Sequence, residues 1–401
     1  MTRMTLRTGL WALDDAACLA VAAHGTPAFG YRLDIARERF TALRRALPER
    51  VHLAYAVKAN PGGRLLQELA RLGAWFDCAS AGEVGAVGAA VRAVGGARLP
   101  APRLVLAGPG KSDADLRAGY AAGARIQVDG IEDVERLAAL HTGPAPLPVS
   151  VRVHPATGVS EASPIIGGAG PSAFGVDEED LPGFVEACSR YPQVRLAGLQ
   201  VFAASNELDV DTLLANHAAA LAIGRRLQQD LGVRLDLIDL GGGLGIPYSP
   251  DEPELDIGGL GAGLEWLLRD NPWFAGRLLL EPGRWLAGPT GVYLARVVRV
   301  KRSRGETFAV LEGGINHLLR PLLTGQAFPV RVVGREPDRP GEPTSYTLAG
   351  PLCTSLDRLG TAVLPPLAPG DLLAFGQAGA YAATQAMTHF LSHPVPAQHW
   401  L

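Results

Sequence analysis

Short apolar runs alternate along the first two thirds of the chain with longer stretches whose apolar residues recur at helical spacing. VHLAYAV (51–57) precedes the helix-like GRLLQELARLG (63–73), and RLVLAG (103–108) precedes SDADLRAGYAAG. PVSVRVH (148–154) follows, then LAGLQVFA (196–203) before the amphipathic DTLLANHAAALAIGRRLQQDLG. LDLIDLGGG (235–243) runs into a Gly-rich loop, and RLLLEPGR (277–284) closes the series. Strands that alternate with helices build a parallel sheet. About eight such units over roughly 250 residues fit a (β/α)8 barrel. Beyond residue 290 the pattern changes to short strand-like runs between Gly/Pro turns: GVYLARVVRVKRS, TFAVLEGG, FPVRVVG, TSYTLAGPLC and DLLAFGQAGAY. The expected organisation is an α/β barrel over 33–290 and a second, mostly β domain formed by 1–32 plus 291–401. The Pro-rich, charged REPDRPGEP (335–343) reads as an exposed turn.

Composition narrows the function classes. The chain is 47% hydrophobic and 19% charged, with a formal net charge of -3 and no run rich in Lys or Arg. That leaves no electrostatic footprint for nucleic acid or an anionic membrane. No segment reads as a membrane span, and Asp14 and Asp15 break the only early apolar stretch, so the expected location is cytoplasmic. Cys18, Cys78, Cys188 and Cys353 are scattered without a CxxC pair, which indicates neither a zinc site nor a disulfide framework. His154, His317, His389 and His393 lack metal-ligand spacing; HFLSH has the i,i+4 spacing but no HExxH glutamate. No metal is expected.

Chemistry gathers at the ends of the apolar runs, where a barrel places its catalytic groups. Lys58 in YAVKANP ends the first run. Held among apolar groups, a lysine has a lowered pKa and forms Schiff bases; it reads equally as an ordinary lysine after a strand. Gly241, Gly242 and Gly243 let backbone N–H groups approach a phosphate, helped by a following helix N-terminus; the bland reading is a turn. Glu281 in LLLEPGRW either faces a protonated pyridine nitrogen or caps a barrel rim. Cys353 in GPLCTSLDRLG is a proton donor or a structural thiol. Tyr381, after a Gly-rich turn, has the reach for a phosphate oxygen.

Taken in this order, from GTPAFGY to HFLSHP, the segments resemble the fold-type III pyridoxal 5′-phosphate decarboxylases, the ornithine, arginine and diaminopimelate enzymes. The resemblance implies an alanine racemase-like fold, bound pyridoxal 5′-phosphate, a free or tethered amino acid as substrate, and a head-to-tail homodimer with shared active sites. It makes Lys58 the Schiff-base lysine and sets Asp77, Ser80 and Glu83 of FDCASAGEV near it. Arg152 of VRVHP lies by the cofactor ring. Ser205, Gly241 to Gly243, Gly283, Arg284 and Tyr381 hold the cofactor, chiefly its phosphate. Glu281 becomes the pyridinium partner, and Cys353 the proton donor to the product carbanion, supplied by the second subunit.

Departures from the family pattern point to a subgroup. The block GLHxHxGS reads GLQVFAAS, so the ring-stacking His is Phe202, and Gln200 and Ala204 replace other usual residues. Thr354 stands at a substrate-binding position where enzymes for free diamino acids carry Asp or Glu, and an uncharged hydroxyl cannot balance a desolvated ammonium. GPLCTSLDRLG, VFAASNELD, LEGGINHLLRP and AMTHFLSHP are similar to decarboxylases of natural-product biosynthesis. One branch of these acts on glutamyl or 3-methylaspartyl groups tethered to an acyl carrier protein. Gln200, where His is usual, and Ala173, where a basic residue is common, depart from that branch as well. A decarboxylase of a free amino acid is the alternative. An amino-acid racemase is a further one, opposed by Glu281 where racemases place Arg.

Overall fold

Runs such as VHLAYA and RLLL carry apolar residues at consecutive positions, so both faces of each strand must be covered. The computed structural model covers them, and it describes residues 9–95, 103–156, 170–334 and 341–401. Most of the turn read over 335–343 lies outside the described residues. The chain divides into two units: Phe40–Gly245 with Leu255–Gly283, and the segment to Arg39 with Ile246–Glu254 and Arg284–Leu401.

The first unit is a closed parallel barrel. After β1 (Ala28–Tyr31), which belongs to the other unit, come β2 (Val51–Ala56), β3 (Trp75–Cys78), β4 (Leu104–Leu106), β5 (Arg125–Val128) and β6 (Leu147–His154). The two-residue β7 (Val176–Asp177) adds to β6, and β8 (Val194–Val201), β9 (Leu237–Asp239) and β10 (Arg277–Leu280) complete the set. The order is β5-β4-β3-β2-β10-β9-β8-β6, and β5 also pairs with β6, which closes the ring. Ala54, Trp75, Val105, Leu237 and Leu279, one each from β2, β3, β4, β9 and β10, form one apolar cluster. Side-chain caps set the helix starts: Ser112 and Asp115 form a capping box at Asp113–Ala122, and Asp209 accepts from the Thr212 N–H ahead of Val210–Gln229.

Strands β3 and β5 are absent from the apolar runs read in the sequence. Both are four residues long, and Asp77, Arg125 and Gln127 break their apolar pattern although all three side chains are buried.

The second unit is a β sheet built on the long β11 (Gly291–Ser303). With β12 (Glu306–Leu311), β13 (Val330–Val333), β14 (Thr344–Ala349), β15 (Arg358–Leu364) and β16 (Leu372–Phe375) it has the order β13-β16-β11-β12-β14-β15. β1 pairs antiparallel with β11 and parallel with β17 (Ala397–Trp400), so the two ends of the described chain meet in one sheet. Helix Asp15–Ala22, capped by Asp14, packs Cys18 and Val21 against Val292, Leu294 and Ala374. Cys18 is thus a buried core residue. HFLSH does not form a helix: Leu391 and Ser392 have left-handed backbone, so His389 and His393 do not share a helix face.

Candidate active site

The C-terminal ends of the barrel strands carry polar residues inside an otherwise apolar ring. Lys58 lies in a single helical turn, Val57–Ala59, directly after β2. Tyr55 Oη donates to Asn60 O at 2.9 Å, and Asn60 Oδ1 accepts from Gly62 N–H at 2.9 Å, which fastens that turn. Lys58 Nζ is 3.6 Å from Asp77 Oδ2 at the end of β3, and 5.8 Å from the centre of the Phe202 ring just beyond β8. Lys58 remains 39% exposed while Asp77 is 2% exposed, so the amine is reachable from outside and its counter-charge is not. Ser80 Oγ accepts from the Glu83 N–H, and Glu83 Oε2 accepts from the Ala79 N–H at 2.7 Å. This pair caps helix Ala81–Ala93 and holds the segment that follows Asp77.

Glu281, directly after β10, is buried, and its N–H donates to Gly241 O at 2.8 Å. Burial pushes its carboxyl up, and the negative charge of Asp77 pushes the same way; Lys58 and Arg152 oppose. Asp239, at the end of β9, is fully buried and is pushed up strongly by burial and by Glu281. Glu281 Oε1 has no hydrogen-bond partner among the described residues. An unpaired carboxylate oxygen at such a depth is costly. A cationic ring N–H is a partner of the right charge, and on that count the site fits pyridoxal 5′-phosphate.

The glycine run supplies the second fit. Gly241 and Gly243 have φ of 71° and 101°, left-handed backbone that other residues rarely adopt. A Cβ at Gly241 would stand 2.5 Å from Val201 O, and one at Gly242 2.9 Å from Glu281 O. The helix N-terminus expected after this run is not there: the next helix begins at Ile257. Left-handed turns at Gly241 and Gly243 lead into a loop, in which Gly243 O accepts from the Glu207 N–H at 2.8 Å. Any anion held here would be held by loop N–H groups without a helix dipole. Ser205 lies on the facing segment, next to Ala204, whose Cβ is 3.2 Å from the position a Gly243 Cβ would take. Gly283 abuts the Lys58 strand, its missing Cβ 2.9 Å from the Ala56 Cβ.

Arg152 on β6 stacks over Phe174 at 4.4 Å. Sequence reading gave Phe174 no role. Gly175 N–H donates to Asp129 Oδ1 at 2.9 Å, and Asp129 is in turn paired with the buried Lys111 at 2.7 Å. Lys111 left no signal in the sequence, because its partners are Asp129 and Asp133 on a different βα unit.

Four of the predicted residues lie in the β-rich unit. Arg284 Nη1 donates to Tyr248 Oη at 2.8 Å, and its guanidinium is 4.7 Å from the Tyr381 ring centre. Tyr381 itself has left-handed backbone, φ 54°. Arg320 stacks on the other aromatic at 5.1 Å from the Tyr248 ring, and burial holds its pKa down. Neither Tyr248 nor Arg320 was singled out beforehand; LEGGINHLLRP carried Arg320 only as a resemblance. Cys353 is exposed in the connection from β14 to β15, and Thr354 Oγ1 accepts from the Leu356 N–H at 3.3 Å. The one acid of that connection, Asp357, is taken up by the N–H groups of Ile315 and Leu352, both at 2.8 Å.

Comparison with known proteins bears on this arrangement. Residues 33–288 match the family described as pyridoxal-dependent decarboxylase, pyridoxal binding domain. An L-glutamyl-(BtrI acyl-carrier protein) decarboxylase of Niallia circulans is 29% identical over 92% of this chain and 87% of its own. A diaminopimelate decarboxylase of Actinosynnema pretiosum subsp. auranticum is 35% identical over 94% of this chain and 87% of its own. Among solved structures, the lysine/ornithine decarboxylase of Vibrio vulnificus with putrescine superposes with a TM-score of 0.79 at 25% identity, covering 96% of this chain and 98% of its own. The diaminopimelate decarboxylase of Helicobacter pylori with L-lysine shares the fold, with a TM-score of 0.82 at 24% identity over 96% and 93% of the two chains.

Proposed function

The chain belongs to the pyridoxal-dependent decarboxylase family and is an amino acid decarboxylase that uses pyridoxal 5′-phosphate; from that premise we propose that its substrate is an acidic aminoacyl group carried on an acyl carrier protein. The cofactor supplies an aldehyde for the substrate amine and a ring that takes up the electron pair left when CO2 departs. Lys58 Nζ is the amine that tethers the cofactor between turnovers. Phe202 would pack against the ring, a contact that needs no charge. Glu281 would be the acid that keeps the ring nitrogen cationic. The N–H groups of Gly241 to Gly243, with Ser205, would hold the phosphate. Cys353 Sγ delivers the proton that replaces the lost carboxylate. Because Cys353 is exposed on its own chain, it is available to a second copy, and the reading makes the working unit a homodimer with shared sites.

The observation that carries the substrate assignment is Thr354. Its hydroxyl is engaged in a local turn, and Asp357 is spent on backbone N–H groups, so this connection offers no free carboxylate for the distal ammonium of a diamino acid. The Niallia circulans relative supports it. A free amino acid is the second reading, favoured by the diaminopimelate decarboxylases among the relatives. Mass spectrometry separates the two. Incubation with glutamyl-loaded carrier protein is expected to remove the mass of CO2 from the tethered group, with free diaminopimelate and ornithine unchanged. Turnover of free diaminopimelate with the loaded carrier untouched would reverse the assignment.

A further inference from the structure

Lys111 has no part in the chemistry above, yet its side chain is sealed from water and all three ammonium hydrogens are used. They go to Gly108 O at 2.5 Å, Asp129 Oδ2 at 2.7 Å and Asp133 Oδ2 at 2.9 Å. Gly108 follows β4, Asp129 follows β5, and Asp133 lies in the first turn of helix Ile131–Leu140, so one cation ties three neighbouring pieces of the rim together. Arg136 Nη2 donates to Asp133 Oδ1 at 2.6 Å, which completes a cluster of two cations and two anions. Held on that side, Asp129 offers its other oxygen, Oδ1, to the Gly175 N–H at 2.9 Å. Gly175 has φ 75°, and a Cβ there would stand 2.8 Å from Arg152 O. That backbone and that spacing suit glycine alone, and they lay the segment directly on β6. The preceding residue, Phe174, meets the Arg152 guanidinium at 4.4 Å from its ring centre.

Strand register shows where Arg152 lies. Gln127 of β5 donates across the ring to Asp239 of β9 at 2.8 Å, so its side chain is interior. Gln127 stands opposite Ser150, and alternate residues share a face, so Ser150 and Arg152 point inward as well. Arg152 in turn stands opposite Gln200 of β8, two residues before Phe202, whose ring centre is 5.8 Å from Lys58 Nζ. No acid among the described residues pairs with Arg152; what meets its guanidinium is an aromatic face.

We propose that Phe174 and Asp129 are positioning residues for Arg152: Asp129, fixed by Lys111, pins Gly175, and the Phe174 ring placed there holds the guanidinium at the rim where the cofactor lies. The inference rests on the reading of Arg152 as a residue beside the cofactor ring. Its consequence is specific. The two residues act in series, so cutting either link frees the same arginine. Leucine at 174 keeps apolar bulk but has no π face, whereas tyrosine keeps the face.

The test uses holoenzyme of the wild type, Phe174→Leu, Phe174→Tyr, Asp129→Ala, the Phe174→Leu/Asp129→Ala double variant and Arg152→Ala. Cofactor affinity and the pH titration of the bound cofactor's visible absorption are measured on each, and melting curves report folding. Arg152→Ala is expected to move the titration midpoint, because a fixed positive charge beside the ring is lost. Phe174→Leu and Asp129→Ala are expected to move it the same way by less, and to weaken cofactor binding about threefold, the size of one cation–π contact. Phe174→Tyr is expected to keep the wild-type midpoint. The double variant is expected to match the stronger single variant, since residues acting through one partner are not additive. Effects that add in the double variant would mean that the two residues act apart, and the proposal would be wrong. A lower melting temperature in Phe174→Leu with an unmoved titration would leave Phe174 a packing role and equally overturn it. If Asp129→Ala does not fold, Gly175→Ala takes its place in every comparison, because its Cβ lifts the same segment off β6 while the buried charges stay paired. Arg152→Ala tells the two levels apart. An unmoved titration there sinks the reading of Arg152 and this inference together, whereas a moved one beside an unaffected Phe174→Leu sinks the inference only.

Discussion

At the scale of single residues, position at the end of a strand made Lys58 and Glu281 readable, because a barrel sends such side chains to one rim. What each residue faces was not readable from local pattern and entered only through the family resemblance. Asp77, 3.6 Å from Lys58 Nζ, comes from the next strand, and Phe202 from across the ring. Removing the amine should remove the tether: Lys58→Ala is expected to lose the visible absorption of the bound cofactor after gel filtration, and retention of that band would contradict its role. Cys353→Ala should fold normally, since its thiol is exposed, and should slow decarboxylation about a hundredfold, the usual worth of a positioned general acid. Rapid-quench measurement of product would detect the slower proton delivery; an unchanged rate would return Cys353 to the status of a surface thiol.

At the scale of elements, the glycine turn and one helix make separate predictions. Gly241→Ala forces a Cβ into left-handed backbone and to 2.5 Å from a carbonyl oxygen that cannot move without breaking β8. Cofactor affinity is expected to fall about tenfold or more, because strain of one to two kcal/mol is of that size; equilibrium dialysis would measure it. Helix Val210–Gln229 buries His217 completely, which holds its pKa down at about 4. The unfolded histidine titrates near 6.5, so between these values the unfolded chain binds the proton and the folded one does not. Stability is therefore lost as pH falls from about 6.5 towards 4, by about 2 kcal/mol at pH 5. Urea titrations at pH 7.5 and pH 5 should find His217→Leu less acid-sensitive than wild type by that amount. Equal sensitivity would mean that His217 titrates normally. The short strands β3 and β5 escaped sequence reading for a related reason: their polar residues point into a barrel that local pattern does not contain.

At the scale of the whole molecule, the shared-site dimer gives a test that no single chain can imitate. If Lys58 of one copy works with Cys353 of the other, mixing the inactive Lys58→Ala and Cys353→Ala proteins creates heterodimers with one intact site. Random exchange should recover about a quarter of wild-type activity, and no recovery after confirmed exchange would place both residues in one chain's own site. The β-rich unit exposes Leu356, Phe390 and Leu391, apolar surface of the kind a second copy covers. Taken alone, the sequence determined the alternation of strand and helix, the change to β structure near residue 290, and the residues at strand ends, because these follow from local periodicity and the covalent order of the chain. The closing of β5 onto β6, the meeting of β1 with β17, and the Gln127–Asp239 contact were decided only in three dimensions. They join residues far apart in sequence, and burial is a property of the assembled structure that no single segment possesses.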